Sequence, residues 1–107
     1  DEAKWRLVFN CDFKDESELK KWNLLRRSIN ANNELQYYTP QACWVENGLL
    51  HIRASKEDSL YKGKLRHYSS GLLDTKNKFA QRYGRFEIRL KVPAGKGLWP
   101  AFWLLPA

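Results

Sequence analysis

The chain has 107 residues, enough for one small domain, and carries a formal net charge of +7 from 19 Lys and Arg against 12 Asp and Glu. Hydrophobic residues make up 43% and aromatic residues 14%, which excludes an intrinsically disordered chain and fits a globular β-rich one. The basic residues are interleaved with acids and carry no nucleic-acid-binding signature. No run is long and apolar enough for a signal peptide or a membrane span, and Met is absent even at position 1. We therefore expect a processed or excised chain that binds neither nucleic acid nor membrane.

Strand and turn signals alternate through the first third of the chain. Apolar and polar residues alternate over residues 5–13, which predicts a first strand. The charged residues 14–21 contain Leu19, and Trp22 follows at the i, i+3 spacing that predicts a short helical turn. Residues 22–28 predict another strand. The Asn-rich residues 30–33 predict a turn, because Asn tolerates left-handed backbone.

The middle of the chain contains a strong hairpin signal. Asn47-Gly48 separates an apolar run at residues 44–46 from another at 49–55, which predicts two strands joined by a two-residue turn. Residues 56–67 are polar and predict a loop, and residues 68–75 predict the next strand. Neither His51 nor His67 has a carboxylate or Cys partner in the sequence pattern, so both are predicted to be structural or surface residues.

The last quarter of the chain predicts two strands with different faces. Residues 85–91 alternate strictly, with Phe86, Ile88 and Leu90 towards a core and charged residues between them. Glu87 and Arg89 then share the opposite face. Pro93, Gly95 and Gly97 predict a turn, and residues 98–105 predict a second strand that is apolar on both faces.

Trp99 and Trp103 fall on one face of that second strand. Sugar rings present apolar CH faces that stack on indole, and hydroxyl edges that need charged or amide partners. Two tryptophans beside a face with Glu87 and Arg89 therefore suggest a carbohydrate cleft. Burial of both indoles in a core is the alternative, since aromatic residues dominate protein cores.

Three stretches carry a resemblance to a known family. They are residues 83–89 with 97–103 (YGRFEIR and GLWPAFW), residues 33–39 (NELQYYT) and residues 68–75 (YSSGLLDT). Together they resemble glycoside hydrolase family 16, most of all its laminarinase-type β-1,3-glucanases. The resemblance implies an all-β, concanavalin A-like jelly roll of two curved antiparallel sheets, with a cleft across the concave sheet. Residues 1–107 would be the N-terminal half, or slightly less, of that single domain. A second chain or a missing C-terminal half would complete it.

The resemblance also implies which residues bind the substrate. Asn33, Glu87 and Arg89 would contact glucose units on the non-reducing side of the cleavage point, and Trp99 and Trp103 would offer stacking surfaces. The Glu-x-Asp-x-Glu strand that supplies the catalytic acids in the family does not occur in this sequence. No residue of this chain is therefore assigned a catalytic role, and the chain alone is expected to be inactive.

No cofactor is required by this chemistry, but the resemblance suggests a structural calcium ion on the convex side. Gly48 matches the turn glycine whose carbonyl helps to bind it, and Asp12 lies near the acid-rich first strand of the family. Cys11 replaces an acid there. Cys11 and Cys43 have no metal-binding spacing, and they either form a disulfide in a secreted protein or remain buried thiols.

The function expected from these residues is that of a secreted endo-acting glucanase, which cleaves β-1,3 or β-1,3-1,4 glucan with retention of configuration. Two alternatives remain open. One is a non-catalytic β-1,3-glucan recognition protein on the same scaffold, and the other is an interaction domain whose basic surface binds polyanions.

Overall fold

A computed structural model of the chain describes residues 5–28, 35–61 and 63–106. Within these residues, regular structure consists of short strands and two 3₁₀ helices, which confirms the all-β class. No helix among them is long and apolar enough to span a membrane. The strands are β1 Asn23–Leu24, β2 Arg27–Ser28, β3 Gln36–Tyr38, β4 Cys43–Glu46, β5 Leu49–Ile52, β6 Ser55–Tyr61, β7 Lys64–Ser70 and β8 Leu73–Asp74.

The first 3₁₀ helix, Glu16–Lys21, confirms the predicted helical turn. Asp15 caps it, because its carboxylate accepts the Ser17 backbone N–H at 2.9 Å. Inside the helix, the buried Glu18 pairs with Lys21 at 2.7 Å. The second 3₁₀ helix, Pro40–Ala42, follows β3 directly and begins at a proline, which suits a first helical position.

A four-stranded sheet with the order β2-β3-β7-β6 forms the centre of the described structure. β3 runs parallel to β7, and the other two neighbouring pairs are antiparallel. Tyr37 of β3 lies opposite Ser69 of β7, and these two residues are only 5% and 4% exposed. β1 and β8 form a separate antiparallel pair. The sheets stay open, since these described strands do not close into a barrel or a complete sandwich.

The hairpin β4–β5 confirms the strongest turn signal in the sequence. Cys43 pairs with Ile52 at its open end and Glu46 with Leu49 at its turn. Asn47 and Gly48 both have positive φ angles, 54° and 71°, as a two-residue hairpin turn of this kind requires.

The predicted loop at residues 56–67 is wrong. β6 and β7 form a long antiparallel hairpin there, with an irregular register between Lys56 and Ser59. The polar composition of β6 predicts a loop and not a strand. It is polar because β6 lies at the edge of the sheet, where charged side chains face solvent. The predicted strand at residues 22–28 is present only as the two short strands β1 and β2.

The predicted first strand at residues 5–13 is also wrong. This segment forms no strand, and aromatic contacts hold it in place instead. The Phe9 ring lies 4.6 Å from the ring of Phe79 and meets the Trp22 indole edge-on at 5.9 Å. Lys21 donates a hydrogen bond to the Asn10 carbonyl at 2.7 Å. Side-chain packing, and not strand pairing, therefore holds residues 5–13 in place. The predicted turn at residues 30–33 lies outside the described residues.

The two strands predicted at residues 85–91 and 98–105 do not form. Residues 85–94 and 98–106 have no regular secondary structure, and the side chains of both stretches are exposed. None of the described strands pairs with them. A two-stranded hairpin without a third strand or a packing surface is at best marginally stable in water, which explains why the alternating pattern alone does not produce strands here.

Both cysteines are free thiols. Cys11 accepts a hydrogen bond from the Trp22 indole N–H at 3.3 Å, whereas Cys43 is buried at the start of β4. Burial raises the pKa of the Cys43 thiol to about 11, so it is neutral at physiological pH. Gly71, directly after β7, packs against this thiol. A Cβ at Gly71 would overlap the Cys43 Sγ and lie 2.9 Å from Ile52 Cγ2.

We predict that Gly71→Ala lowers the free energy of unfolding by about 1–3 kcal/mol, as overpacking of a tight contact does. In a Cys43→Ala background the same change should cost less, because the sulfur that it meets is gone. Thermal or urea unfolding of the wild type, both single variants and the double variant measures this coupling. Equal costs of Gly71→Ala in both backgrounds would contradict the contact.

Candidate functional site

The predicted substrate-binding residues Glu87 and Arg89 lie in the extended, exposed segment after Gly84. Arg85 donates to the Glu87 carboxylate through Nη2 at 2.5 Å, and the two side chains are 47% and 70% exposed. Two residues separated by one position thus meet on the same side of the extended chain, as period-two geometry requires. The pair is a surface ion pair, which contributes roughly 0–1 kcal/mol to stability. It leaves the second carboxylate oxygen of Glu87 available as an acceptor.

Trp99 and Trp103 present open indole surfaces. They are 70% and 62% exposed. Within the described part of the chain, neither ring stacks on another aromatic ring or on a cation. The structure does not join the tryptophans to Glu87 or Arg89 through a contact. Asn33, the third predicted contact to substrate, lies outside the described residues.

The two predicted calcium ligands lie in different parts of the described chain, one in the segment before the first 3₁₀ helix and one in a hairpin turn. Gly48 lies in the exposed turn of the β4–β5 hairpin. The Asp12 carboxylate accepts the Lys14 backbone N–H at 3.1 Å through one oxygen. Calcium takes about six to eight oxygen ligands. Across the described ranges, no cluster of three or more His, Cys, Asp or Glu side chains could hold a metal ion. These two residues by themselves do not make a complete calcium site.

Sequence reasoning missed an aromatic and charged cluster on one face of the β4–β5 hairpin. The Trp44 indole stacks on the His51 imidazole at 5.2 Å and an interplanar angle of 9°, because the two are cross-strand partners. The Arg53 guanidinium lies 4.7 Å from the centre of the indole, and the Glu46 carboxylate accepts the indole N–H at 3.2 Å. The Asn47-Gly48 turn sets the register of the hairpin. This register places the four side chains on the same face. His51, predicted to be a structural or surface residue, is thus in contact with an aromatic side chain.

His67 has a carboxylate partner that the sequence pattern did not indicate. Its Nδ1 lies 2.7 Å from Asp58 Oδ1, across the hairpin β6–β7. The irregular register of β6 brings the two together, which pattern analysis could not show. Both side chains are more than half exposed. Among the residues that the structure describes, no third metal ligand accompanies these two side chains, and an exposed ion pair of this kind contributes little to stability.

A polar cavity of about 220 Å³ lies between the four-stranded sheet and the β4–β5 hairpin. Four of the side chains that line it are hydrogen-bonded to one another or to a neighbour. The Gln41 carboxamide oxygen accepts from Arg26 at 3.3 Å and also from the Thr39 hydroxyl. Ser69 donates to Glu57 at 3.4 Å. These bonds connect the elements around the cavity and use part of its hydrogen-bonding capacity.

The fold matches a solved structure, the catalytic domain of an endo-1,3-beta-glucanase (laminarinase) from Thermotoga petrophila RKU-1. The TM-score is 0.68 at 34% sequence identity, over 76% of this chain and 35% of that domain. The described strands therefore belong to a β-jelly roll, as predicted. The chain represents the N-terminal part of a laminarinase-type glycoside hydrolase domain.

The curated relatives of this chain include proteins of the same class, the β-glucanases. The chain is 41% identical over 71% of its length to glucan endo-1,3-beta-glucosidase A1 of Niallia circulans, and 42% identical over 95% of its length to a beta-glucanase of Rhodothermus marinus. It spans only 12% and 36% of these two proteins. A family model described as beta-glucan synthesis-associated protein SKN1/KRE6/Sbg1 matches residues 1–107, and the chain belongs to this family.

Proposed function

We propose that this chain supplies part of the substrate cleft of an endo-acting β-glucan hydrolase that cleaves β-1,3 or β-1,3-1,4 glucan. The observation that carries the proposal is the match to a laminarinase catalytic domain at 34% identity, which includes the fold and not only short motifs. The names of the relatives, glucan endo-1,3-beta-glucosidase and beta-glucanase, support the same substrate class. Because its substrate is a polysaccharide, we propose that the protein works outside the cell.

The side chains after Gly84 have the chemistry that glucan recognition needs. A carboxylate accepts and a guanidinium donates hydrogen bonds, so Glu87 and Arg89 can serve both the donor and the acceptor roles of a sugar hydroxyl. The ion pair with Arg85 restrains the Glu87 carboxylate. Trp99 and Trp103 expose flat apolar surfaces to which the CH face of a glucose ring can stack. Asn33 is proposed to add an amide contact.

Hydrolysis itself requires acids that we do not assign to this chain. Retaining glycoside hydrolysis uses two carboxyl groups about 5–5.5 Å apart, one as nucleophile and one as acid/base. Three of the carboxylates discussed here form ion pairs: Glu18 with Lys21, Asp58 with His67 and Glu87 with Arg85. The proposed activity, with retention of configuration, is that of the complete domain.

A second candidate is a non-catalytic glucan-binding protein on the same scaffold. One observation favours it: the family model that covers the whole chain describes beta-glucan synthesis-associated proteins and not hydrolases. The two candidates share the cleft chemistry and differ in whether the complete domain turns over its substrate.

An assay of glucan hydrolysis distinguishes the hydrolase from the non-catalytic binding protein. We expect the complete protein to release reducing sugar from laminarin, and proton NMR of the early products to show the β-anomer first, because double displacement preserves configuration. The 107-residue chain alone should release no more than a boiled control. An initial α-anomer would contradict retention. Tight laminarin binding by the complete protein without any release would favour the recognition protein.

The predicted cleft face can be tested with three single variants of the complete protein. Arg89→Ala should weaken binding of a laminari-oligosaccharide by roughly ten- to a hundredfold, since a charged hydrogen bond is lost, and should leave the melting temperature nearly unchanged. Lys91→Ala, at the next position on the same face, is the matched control and should keep its affinity. Ile88→Ala should instead cost about 2–5 kcal/mol of stability if Ile88 is buried in the complete domain.

Calorimetric titration and thermal melts of the three variants measure these effects. Unchanged affinity of Arg89→Ala, together with a lowered melting temperature, would make Arg89 a structural residue. The assignment of this face to the cleft would then be wrong.

We also propose a structural calcium ion at Asp12 and the Gly48 carbonyl, completed by ligands beyond these two residues. Calcium at a hundred times its Kd should stabilise the complete protein by about 2.7 kcal/mol, and EDTA should reverse the shift in melting temperature. Asp12→Asn should reduce the calcium-dependent shift, whereas the control Glu16→Gln should retain it. A melting temperature that does not respond to calcium would contradict the proposed calcium site.

A further inference from the structure

The polar cavity between the four-stranded sheet and the β4–β5 hairpin contains two side chains of opposite charge that do not pair with each other. Its volume is about 220 Å³, and its polar lining consists of Thr39, Gln41, Arg53, Ser55, Glu57 and Ser69. Among the ion pairs of the described residues, none joins Arg53 to Glu57. The cavity therefore holds a charged donor and a charged acceptor that are both available to a ligand.

Neighbouring groups restrain both charged side chains. The Arg53 guanidinium lies 4.7 Å from the centre of the Trp44 indole, a distance at which a cation is attracted to the ring. Glu57 accepts a hydrogen bond from the buried Ser69 hydroxyl through Oε2 at 3.4 Å, which leaves Oε1 as an acceptor. Groups restrained in this way lose less freedom when a ligand binds, and this favours affinity.

Neutral side chains complete the hydrogen-bonding pattern of the cavity. Arg26 and Thr39 both donate to the carboxamide oxygen of Gln41, so the amide N–H groups of Gln41 are the part that can donate to a ligand. The Ser55 hydroxyl can both donate and accept, and Ser55 lies opposite Ser69 in the β6–β7 register. The cavity thus offers donors, an acceptor and a group that can be either.

A matching ligand carries several groups that donate and accept at once, and hydroxyl groups do both. Pockets for drug-sized ligands measure about 300–1,000 Å³, so the smaller volume of this cavity suits one sugar ring better than a chain of them. A zwitterionic amino acid would satisfy the two charges but would leave the neutral groups of Gln41 and Ser55 without partners. A sugar is therefore the better match.

We propose that this cavity binds a single glucose unit at the end of a glucan chain. The choice of glucose rests on the proposed function, whereas the site itself rests on Arg53, Glu57 and the neutral groups around them. It is a different site from the predicted cleft face, because Glu87, Arg89, Trp99 and Trp103 do not line the cavity.

The test uses the complete protein and methyl β-glucoside, a single sugar unit that mimics a chain end and offers an endo-acting enzyme no internal bond to cleave. Backbone amide shifts are followed by NMR during titration with this glucoside and, separately, with glycine. We expect saturable shift changes at residues 39–41, 53–57 and 69 with the glucoside, and binding of glycine that is at least tenfold weaker.

Two matched variants test the charged acceptor. Glu57→Gln removes the charge, keeps an acceptor for Ser69 and should weaken glucoside binding at least fivefold. Asp58→Asn makes the same change at the next residue, whose carboxylate pairs with His67, and should alter the affinity less than twofold. Ser55→Leu fills the cavity and should abolish binding, with thermal melts to verify that each variant is folded. Equal affinities of Glu57→Gln and Asp58→Asn would overturn the proposal.

Three other results would overturn it as well. They are the lack of saturable shifts at the cavity residues, shifts confined to residues 85–103, and binding of glycine as tight as that of the glucoside. Laminarin hydrolysis is assayed separately. Glucoside binding in the cavity without hydrolysis supports the site and counts against the proposed hydrolase, whereas hydrolysis without cavity shifts counts against the site alone.

Discussion

Pairing of β3 with β7 is the interaction on which the described structure depends. It is the only parallel pair among the described strands, and it joins residues that are distant in sequence. Tyr37 and Ser69 are buried where the two strands meet. β2 and β6 extend the sheet on either side, and the β4–β5 hairpin packs near its end through Cys43 and Gly71. Without this pair, the four-stranded sheet would divide into β2–β3 and β6–β7, and two-stranded pairs are marginally stable alone.

Side-chain hydrogen bonds supplement the small apolar core around this sheet. The buried Ser69 donates to Glu57, and the buried Tyr37 accepts a hydrogen bond from Arg26 at 2.9 Å. Buried polar groups contribute to stability only when they are paired, because an unpaired one loses its solvation.

Residues 83–106 contain most of the residues that give the chain its proposed function, and their side chains are exposed. Glu87, Arg89, Trp99 and Trp103 are all among them. In a sheet, one set of alternating side chains would anchor the segment in a core and the other would remain free for substrate. Binding geometry and completion of the sandwich are therefore linked, since the positions of the cleft residues depend on burial of the apolar residues between them.

The sequence alone determined the elements that arise from local chemistry. Asn47-Gly48 specified a hairpin because both positions accept positive φ angles, Leu19 and Trp22 at the i, i+3 spacing specified a helical turn, and the collinear motifs specified the family. It did not reveal β6, a polar edge strand that exists only because β7 pairs with it, or the His67–Asp58 contact, which depends on an irregular register. It also predicted strands at residues 5–13 and 85–91 from alternation that is present. Alternation determines which side chains share a face, but only a neighbouring strand can satisfy the backbone, and that neighbour is a property of the tertiary structure.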